Sequence, residues 1–123
     1  MLTVYAYEKC STCRKALAWL AQQGIPCTVK PIRTQPPSVA ELTRMLKHQD
    51  GVLRKLFNTS GLDYRAMGLG ARLASLSEAE ALRLLVGNGN LVKRPFVLAP
   101  GIGLVGFDAT VWKGALAGRG EAS

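Results

Sequence analysis

The chain has 123 residues, of which 48% are hydrophobic and 7% aromatic, and its 16 Lys and Arg against 8 Asp and Glu give a formal net charge of +8. This composition excludes a disordered chain and predicts one globular domain that can bury a core without disulfides or a structural metal. The longest apolar runs are far shorter than the ~20 residues of a membrane span, and the first residues lack the basic region and cleavage site of a signal peptide. We therefore expect a cytoplasmic protein whose charge favours anionic partners, whereas the scattered basic residues predict no direct binding to nucleic acid.

The first quarter of the chain predicts a strand, a helix and a second strand. Residues 2–6, LTVYA, are rich in strand-forming side chains, and apolar residues then recur at helical spacing in CRKALAWLAQQG, which ends at Gly24. Pro26 precedes the strand CTVKPI, in which Cys27 and Val29 are expected to face the core. Because the three elements follow one another closely, the two strands are expected to pair in parallel.

The middle of the chain, from about residue 38 to residue 88, predicts helices only. Ser38 and Glu41 form a capping box for VAELTRMLKHQ, which ends at Asp50-Gly51, and Ser77 caps EAEALRLL. Strands resume only after this segment. We therefore expect a helical insertion between two parts of one sheet.

The last part of the chain returns to strands and finishes with a helix. The apolar runs FVLA and GLVGF, separated by Pro100-Gly101, predict a β-hairpin. Asp108 caps a helix that ends near Leu116, and residues 119–123 are expected to form a frayed tail. The prediction is a single α/β domain over residues 1–118, with the order βαβ, helices, ββα.

Cys10 and Cys13 lie where the first predicted strand passes into the first helix. Free backbone N–H groups and the positive end of the dipole stabilise a thiolate at a helix N-terminus, so thiols there ionise at lower pH. Cys13 can close a disulfide with Cys10, and this position in a βαβ unit favours a redox couple. Two alternatives are a zinc half-site, which could add only Cys27 and His48, and two buried cysteines without chemistry. We interpret Cys27 itself as a buried, inert thiol.

A second candidate group is Arg94-Pro95, directly before the first strand of the hairpin. In the expected sheet this dipeptide lies beside the cysteine loop. A cis proline would turn a backbone edge toward the sulfur, and Arg94 could hold an anion or a thiolate. The alternative is a surface arginine followed by a strand-initiating proline. Ser11 and Thr12, between the two cysteines, are further candidates for substrate binding or thiolate stabilisation.

With these residues in hand, the chain resembles the arsenate reductase family of thioredoxin-like proteins, and within it the Spx-type branch. The segments CSTCRKALAWL, LFNTSGLDYRAMGL, LVKRPFVL and LVGFD follow one another in the family's order between residue 2 and about residue 116. The resemblance implies a thioredoxin-like mixed sheet with an inserted helical subdomain. It also implies that Cys10 is the nucleophile, Cys13 the second thiol of an Spx-type switch, and Arg94 the arginine before a cis proline, Pro95.

The chain departs from the family's arsenate reductases at the residues that bind the oxyanion. Those enzymes bind it with three arginines, and Asn58 and Gly103 occupy two of these positions here, so a tetrahedral anion would lose most of its charge-assisted hydrogen bonds. They also use one cysteine with an external thiol, whereas this chain has Cys13 at hand. Gly51 falls within one residue of the glycine by which Spx meets the RNA polymerase α subunit.

The sequence thus favours a cytosolic thiol–disulfide redox protein in which Cys10 attacks as a thiolate and Cys13 resolves the mixed disulfide. No cofactor or metal is expected, and glutathione or another thiol would act as reductant. The alternatives are a redox-sensing regulator that binds the RNA polymerase α subunit, and a glutathione-linked arsenate reductase.

Overall fold

A mixed sheet of four strands organises the fold in a computed structural model that describes residues 2–117. The strands are β1 (Leu2–Ala6), β2 (Cys27–Pro31), β3 (Phe96–Ala99) and β4 (Ile102–Val105). The helices are α1 (Ser11–Gln22), α2 (Val39–His48), α3 (Leu62–Ala66), α4 (Leu69–Arg72), α5 (Glu78–Gly87) and α6 (Ala109–Ala115). Short 3₁₀ turns occupy Leu53–Leu56, Leu73–Ser75 and Gly89–Leu91.

The strand order is β2-β1-β3-β4, and it confirms the predicted pairing. β1 runs parallel to β2 and antiparallel to β3, and β3 and β4 form the expected hairpin. The hairpin turns at Gly101, whose φ of +73° suits glycine. β4 begins at Ile102, one residue earlier than predicted, and ends before Gly106, because that residue turns the chain at a φ of +70°.

Both faces of the sheet are covered by helices. One core joins Tyr5, Phe96 and Leu98 to the helices of the insertion, and the other joins Val4 and Val97 to α1 and α6. Alternate residues of the two central strands therefore enter different cores. This explains why these strands, apart from Thr3, are apolar instead of alternating with polar residues.

The face predicted for β2 was wrong. Val29 is 50% exposed, and Cys27 is half-buried at the rim of the core beneath α1, whereas both were expected to face the interior. The physical reason is the position of β2 at the edge of the sheet, because α1 packs mainly over β1 and β3. Cys27 is therefore not the fully buried thiol that the alternation suggested.

The two main helices of the insertion begin as predicted, and α5 extends to Gly87, two residues beyond the predicted segment. Ser38 and Glu41 form a complete capping box, with Glu41 N donating to Ser38 Oγ at 3.2 Å and Ser38 N donating to Glu41 Oε1 at 3.0 Å. Ser77 and Glu80 repeat this arrangement before α5. α2 is followed by two residues in the left-handed region, Asp50 and Gly51.

Two further features complete the fold. Asp108 caps α6 as predicted, accepting hydrogen bonds from the backbone of Thr110 and Val111. The tail predicted over residues 119–123 lies outside the described part of the chain. Within residues 2–117, no helix has the length and apolar content needed to cross a membrane.

Candidate active site

Cys10 is the N-cap residue of α1, in an extended conformation, as the sequence predicted. Its backbone N–H donates to the carbonyl of Tyr7 at 3.0 Å, which closes the loop between β1 and α1. Cys10 is half-buried and Cys13 is buried, and both thiols are free. The Cys13 Sγ accepts a hydrogen bond from the backbone N–H of Tyr7 at 3.5 Å. Both sulfur atoms therefore lie at the carboxyl end of β1, against the first turn of α1.

The Cys10 thiol has a pKa below its ordinary value. Burial alone would raise it, but hydrogen bonds from the backbone and thiol of Cys13 and from the backbone of Thr12, together with the charge of Arg94, outweigh that effect. Thr12 thus contributes through its backbone N–H. The exposed Ser11 is the first residue of α1.

The Cys13 thiol behaves in the opposite way, with its pKa raised to about 11. Burial is the main cause, and the hydrogen bond and negative charge of Cys10 add to it, while the Tyr7 N–H and Arg94 oppose it. At neutral pH Cys10 is the better nucleophile, and Cys13 is a protonated thiol that donates to it. This is the asymmetry required of an attacking and a resolving thiol.

The peptide bond between Arg94 and Pro95 is cis, as the resemblance to the family implied. Since Tyr5 pairs with Phe96, Pro95 occupies the register position beside Ala6, where the chain enters the cysteine loop. The Arg94 side chain is half-buried, and its charge acts on both thiols. Burial lowers the pKa of Arg94, and the two sulfur groups raise it.

Within residues 2–117, three of the five Arg94 N–H groups donate to backbone carbonyls. Nε donates to Val92 O at 3.2 Å, and Nη2 donates to Gly89 O at 2.9 Å and Asn90 O at 2.8 Å. The two N–H groups of Nη1 are left for a ligand or a sulfur atom. The arginine is therefore fixed in place by carbonyl groups that cannot neutralise its charge.

Over residues 5–115 the sequence matches the model of the ArsC family. The chain belongs to the ArsC family. Its relatives include protein YusI of Bacillus subtilis, which is 46% identical over 94 residues that cover 76% of this chain and 80% of the relative. An arsenate reductase of Rhizobium meliloti is 34% identical over 80% of this chain and 69% of its own length. The global transcriptional regulator Spx 2 of Lactococcus lactis is 26% identical over 80% of this chain and 73% of its own length.

The fold of the family is also found in solved structures. The crystal structure of an ArsC family related protein from Bacteroides fragilis has a TM-score of 0.88 and 37% identity, with 93% of this chain and 96% of that protein covered. The predicted thioredoxin-like fold is therefore confirmed. Membership of the ArsC family supports the coarse prediction of a thiol redox protein.

The two positions that depart from the ArsC-type reductases have distinct surroundings. Asn58 lies next to the turn that holds Arg94, since its backbone donates to Leu91 O at 2.7 Å and its amide to Asn90 O at 3.4 Å. Gly103 faces His48, whose ring would lie 2.6 Å from a Cβ at this position. A side chain at residue 103 is therefore excluded unless His48 moves.

Other candidates lie apart from the thiols. Gly51 is exposed at the end of α2 with a φ of +76°, and it is followed by Val52, which is 43% exposed. Burial raises the pKa of Cys27 on β2. Within residues 2–117 no group of three or more His, Cys, Asp or Glu side chains is arranged to hold a metal ion, and His48 packs against Gly103.

Sequence reasoning missed Tyr7 and Arg33 in this ArsC-type site. Nη1 of Arg33 donates to the Tyr7 hydroxyl at 2.7 Å, and its guanidinium carbon lies 4.7 Å from the centre of the ring. The Arg94 guanidinium lies 5.9 Å from the same ring. A signal was present, because Tyr7 and Arg33 follow parallel strands whose carboxyl ends meet at one edge of the sheet.

The helical insertion supports the site through a second set of polar contacts. Asp63 Oδ2 accepts hydrogen bonds from the amides of Asn88 at 2.9 Å and Asn90 at 3.3 Å, and Asn88 Oδ1 accepts from Asn90 N at 2.9 Å. These bonds hold the 3₁₀ turn whose carbonyls bind Arg94. α3 therefore takes part in positioning the arginine.

Proposed function

We propose that this protein is a thiol–disulfide oxidoreductase in which Cys10 and Cys13 exchange two electrons with a disulfide substrate. The observation that carries the proposal is the placement of the two thiols on the first turn of α1, with Cys10 half-buried at the N-cap and Cys13 buried against the backbone of Tyr7. The pKa of Cys10 is lowered at the start of α1, and that of Cys13 is raised to about 11 by burial. Arg94 supplies a fixed positive charge beside both sulfur atoms.

The reaction has two exchange steps. The Cys10 thiolate attacks one sulfur of the substrate disulfide, a mixed disulfide forms, and the other half of the substrate leaves as a thiolate. Cys13 then gives its proton to water or to the departed thiolate and attacks the Cys10 sulfur. The Cys10–Cys13 disulfide forms and the second half of the substrate leaves. Two equivalents of an external thiol, such as glutathione, must reduce the protein disulfide before the next cycle, and they leave as their own disulfide.

The test is thiol counting with mass spectrometry after mild oxidation by a small disulfide. We expect the wild-type protein to lose Cys10 and Cys13 together and to gain one internal disulfide. In Cys10→Ser the Cys13 thiol should remain free. Cys13→Ser should accumulate a mixed disulfide on Cys10. Cys27→Ser is the matched control, because Cys27 lies on β2 outside the proposed couple and should leave the pattern unchanged. Full oxidation of Cys13 in the Cys10→Ser variant would contradict the proposal.

A redox-sensing regulator is the second candidate function. It is favoured by the similarity to Spx 2 of Lactococcus lactis and by the exposure of Gly51 and Val52 at the end of α2. In this role the Cys10–Cys13 disulfide would change the affinity for the RNA polymerase α subunit without turnover. Capture of purified α subunit by the oxidised and reduced forms, with Gly51→Arg as the variant, separates this function from an enzyme. Equal capture by both forms would reject it.

Arsenate reduction, the activity named for the Rhizobium meliloti relative, is the third candidate. Asn58 carries no charge, and a side chain at Gly103 is blocked by His48, which leaves Arg94 alone among the expected three arginine positions. We therefore expect arsenate to cause no consumption of glutathione above background. Consumption that requires both arsenate and Cys10 would restore this function.

A further inference from the structure

A groove of about 530 Å³ opens at the carboxyl ends of β1 and β2, and its lining includes Tyr7, whose backbone N–H contacts the Cys13 sulfur. Its volume lies within the ~300–1,000 Å³ range of small-molecule sites. The side chains that decide its chemistry are Tyr7, Glu8, Leu17, Val29, Arg33 and Asn90. Neither the two exchange steps nor the resemblance to the family assigned a role to this groove.

The groove carries a positive charge without a partner. Within residues 2–117 the contacts of Arg33 are with the hydroxyl and ring of Tyr7, and no carboxylate pairs with it. Arg33 and Arg94 lie within 6 Å of the same Tyr7 ring and repel one another. Glu8 is the acidic residue of the lining and is exposed. An arginine in the groove that has no carboxylate partner within residues 2–117 and lies near a second arginine favours an anionic ligand.

The other wall of the groove is apolar. Leu17 on α1 is half-buried, and Val29 on the edge strand β2 is 50% exposed. Tyr7 joins this wall to the thiols, since its side chain lines the groove while its backbone N–H contacts Cys13. A ligand in the groove would thus have an aliphatic body between Leu17 and Val29 and an acidic group near Arg33.

We propose that this groove binds the carboxylate-bearing half of a low-molecular-mass disulfide, with its carboxylate on Arg33 and its sulfur bonded to Cys10. This inference rests on the proposed function and names its substrate class. The half that enters the groove is the one retained in the mixed disulfide. It leaves as a thiolate carboxylate when Cys13 closes the protein disulfide.

The test compares three small disulfides that share an alkyl disulfide core and differ in charge: anionic dithiodipropionate, neutral hydroxyethyl disulfide and cationic cystamine. The measurement is the second-order rate constant for loss of the Cys10 thiol. For the wild-type protein we expect the rate constant to be largest for dithiodipropionate, intermediate for hydroxyethyl disulfide and smallest for cystamine. Arg33→Gln should lower the ratio of the rate constants for dithiodipropionate and hydroxyethyl disulfide roughly tenfold, the value of one charge-assisted hydrogen bond.

Arg83→Gln is the matched control. It removes the same charge from an exposed position on α5, so the ratio should stay at its wild-type value. An unchanged ratio in Arg33→Gln, or an equal fall in both variants, would overturn the assignment of the groove. If the wild-type protein reacts with none of the three disulfides, the proposed function itself fails. If the protein reacts with hydroxyethyl disulfide but shows no preference for the anionic disulfide, the assignment of the groove is rejected and the proposed function is retained.

Discussion

Cys10 and Cys13 are close in sequence, but their pKa values are shifted in opposite directions. The difference arises from where each lies on the first turn of α1. Cys10, at the N-cap, accepts hydrogen bonds from the backbone of Thr12 and Cys13, whereas Cys13 points into the core with Ala16 and Leu20. Hydrogen bonds to a thiolate lower the pKa, and burial without enough such bonds raises it. The same helix end therefore yields one nucleophile and one proton-bearing partner.

The first prediction concerns the pH dependence of Cys10. Its alkylation by iodoacetamide should reach half its maximum below pH ~8.5, the value for an ordinary thiol, because the lowered pKa keeps the thiolate at lower pH. Arg94→Gln should move the midpoint to higher pH, since loss of the cation disfavours the charged form. Mass spectrometry assigns the modified thiol, and Arg83→Gln is the control for net charge. An unchanged midpoint in Arg94→Gln would show that Arg94 does not act on Cys10.

At the scale of elements, the site is assembled where the 3₁₀ turn at Gly89–Leu91 meets the end of β2. A Cβ on Gly89 would overlap the carbonyl of Ile32 and lie 2.8 Å from the Cα of Arg33. The carbonyl of Gly89 also accepts a hydrogen bond from Arg94. Close approach at this glycine therefore sets the spacing between the segments that carry the two arginines.

The second prediction tests this contact. Gly89→Ala should lower the free energy of unfolding by about 1–3 kcal/mol, because the added methyl group meets backbone atoms that cannot move aside cheaply. Gly87→Ala is the control, since no atom lies within 4 Å of a Cβ there and alanine is the better helix former at the end of α5. Urea denaturation of both variants gives the comparison. Equal stabilities would show that the turn can shift away from β2 without cost.

Some of these elements were predictable from local pattern and some were not. The capping boxes at Ser38 and Ser77 and the cap at Asp108 depend on residues within a few positions, and all three were correct. The prediction that Cys27 and Val29 face the core was wrong, because their alternation does not reveal whether β2 is a central or an edge strand. Position in the sheet depends on strands that come much later in the chain.

For the whole molecule, the net charge of +8 acts together with the local charges of the groove. Long-range attraction raises the rate of encounter with any anion, whereas Arg33 acts only on a bound ligand. The two effects differ in their response to salt. Screening is strong beyond the Debye length, which is about 10 Å at 0.1 M ionic strength.

The third prediction separates long-range attraction by the net charge from the local action of Arg33 on a bound ligand. Raising the ionic strength from about 0.05 M to about 0.5 M should slow the reaction of Cys10 with dithiodipropionate several-fold and leave hydroxyethyl disulfide nearly unaffected. In Arg33→Gln part of the salt dependence should remain, because the other surface charges are unchanged. Stopped-flow measurement of Cys10 loss at each salt concentration provides the data. An equal response of the two disulfides would contradict electrostatic steering.

The sequence alone determined the order of elements, the starts of α2, α5 and α6, and the position of Cys10 and Cys13 near the beginning of α1. These features depend on periodicity, caps and turns, which act over a few residues. Only the tertiary structure decided that β2 is an edge strand, that Cys13 is buried with a raised pKa, and that Arg33 and Arg94 share the ring of Tyr7. Tyr7 and Arg33 are 26 positions apart, and they meet because β1 and β2 run parallel and end at the same edge of the sheet. Burial and charge at the site depend on such distant neighbours, which no local pattern reveals.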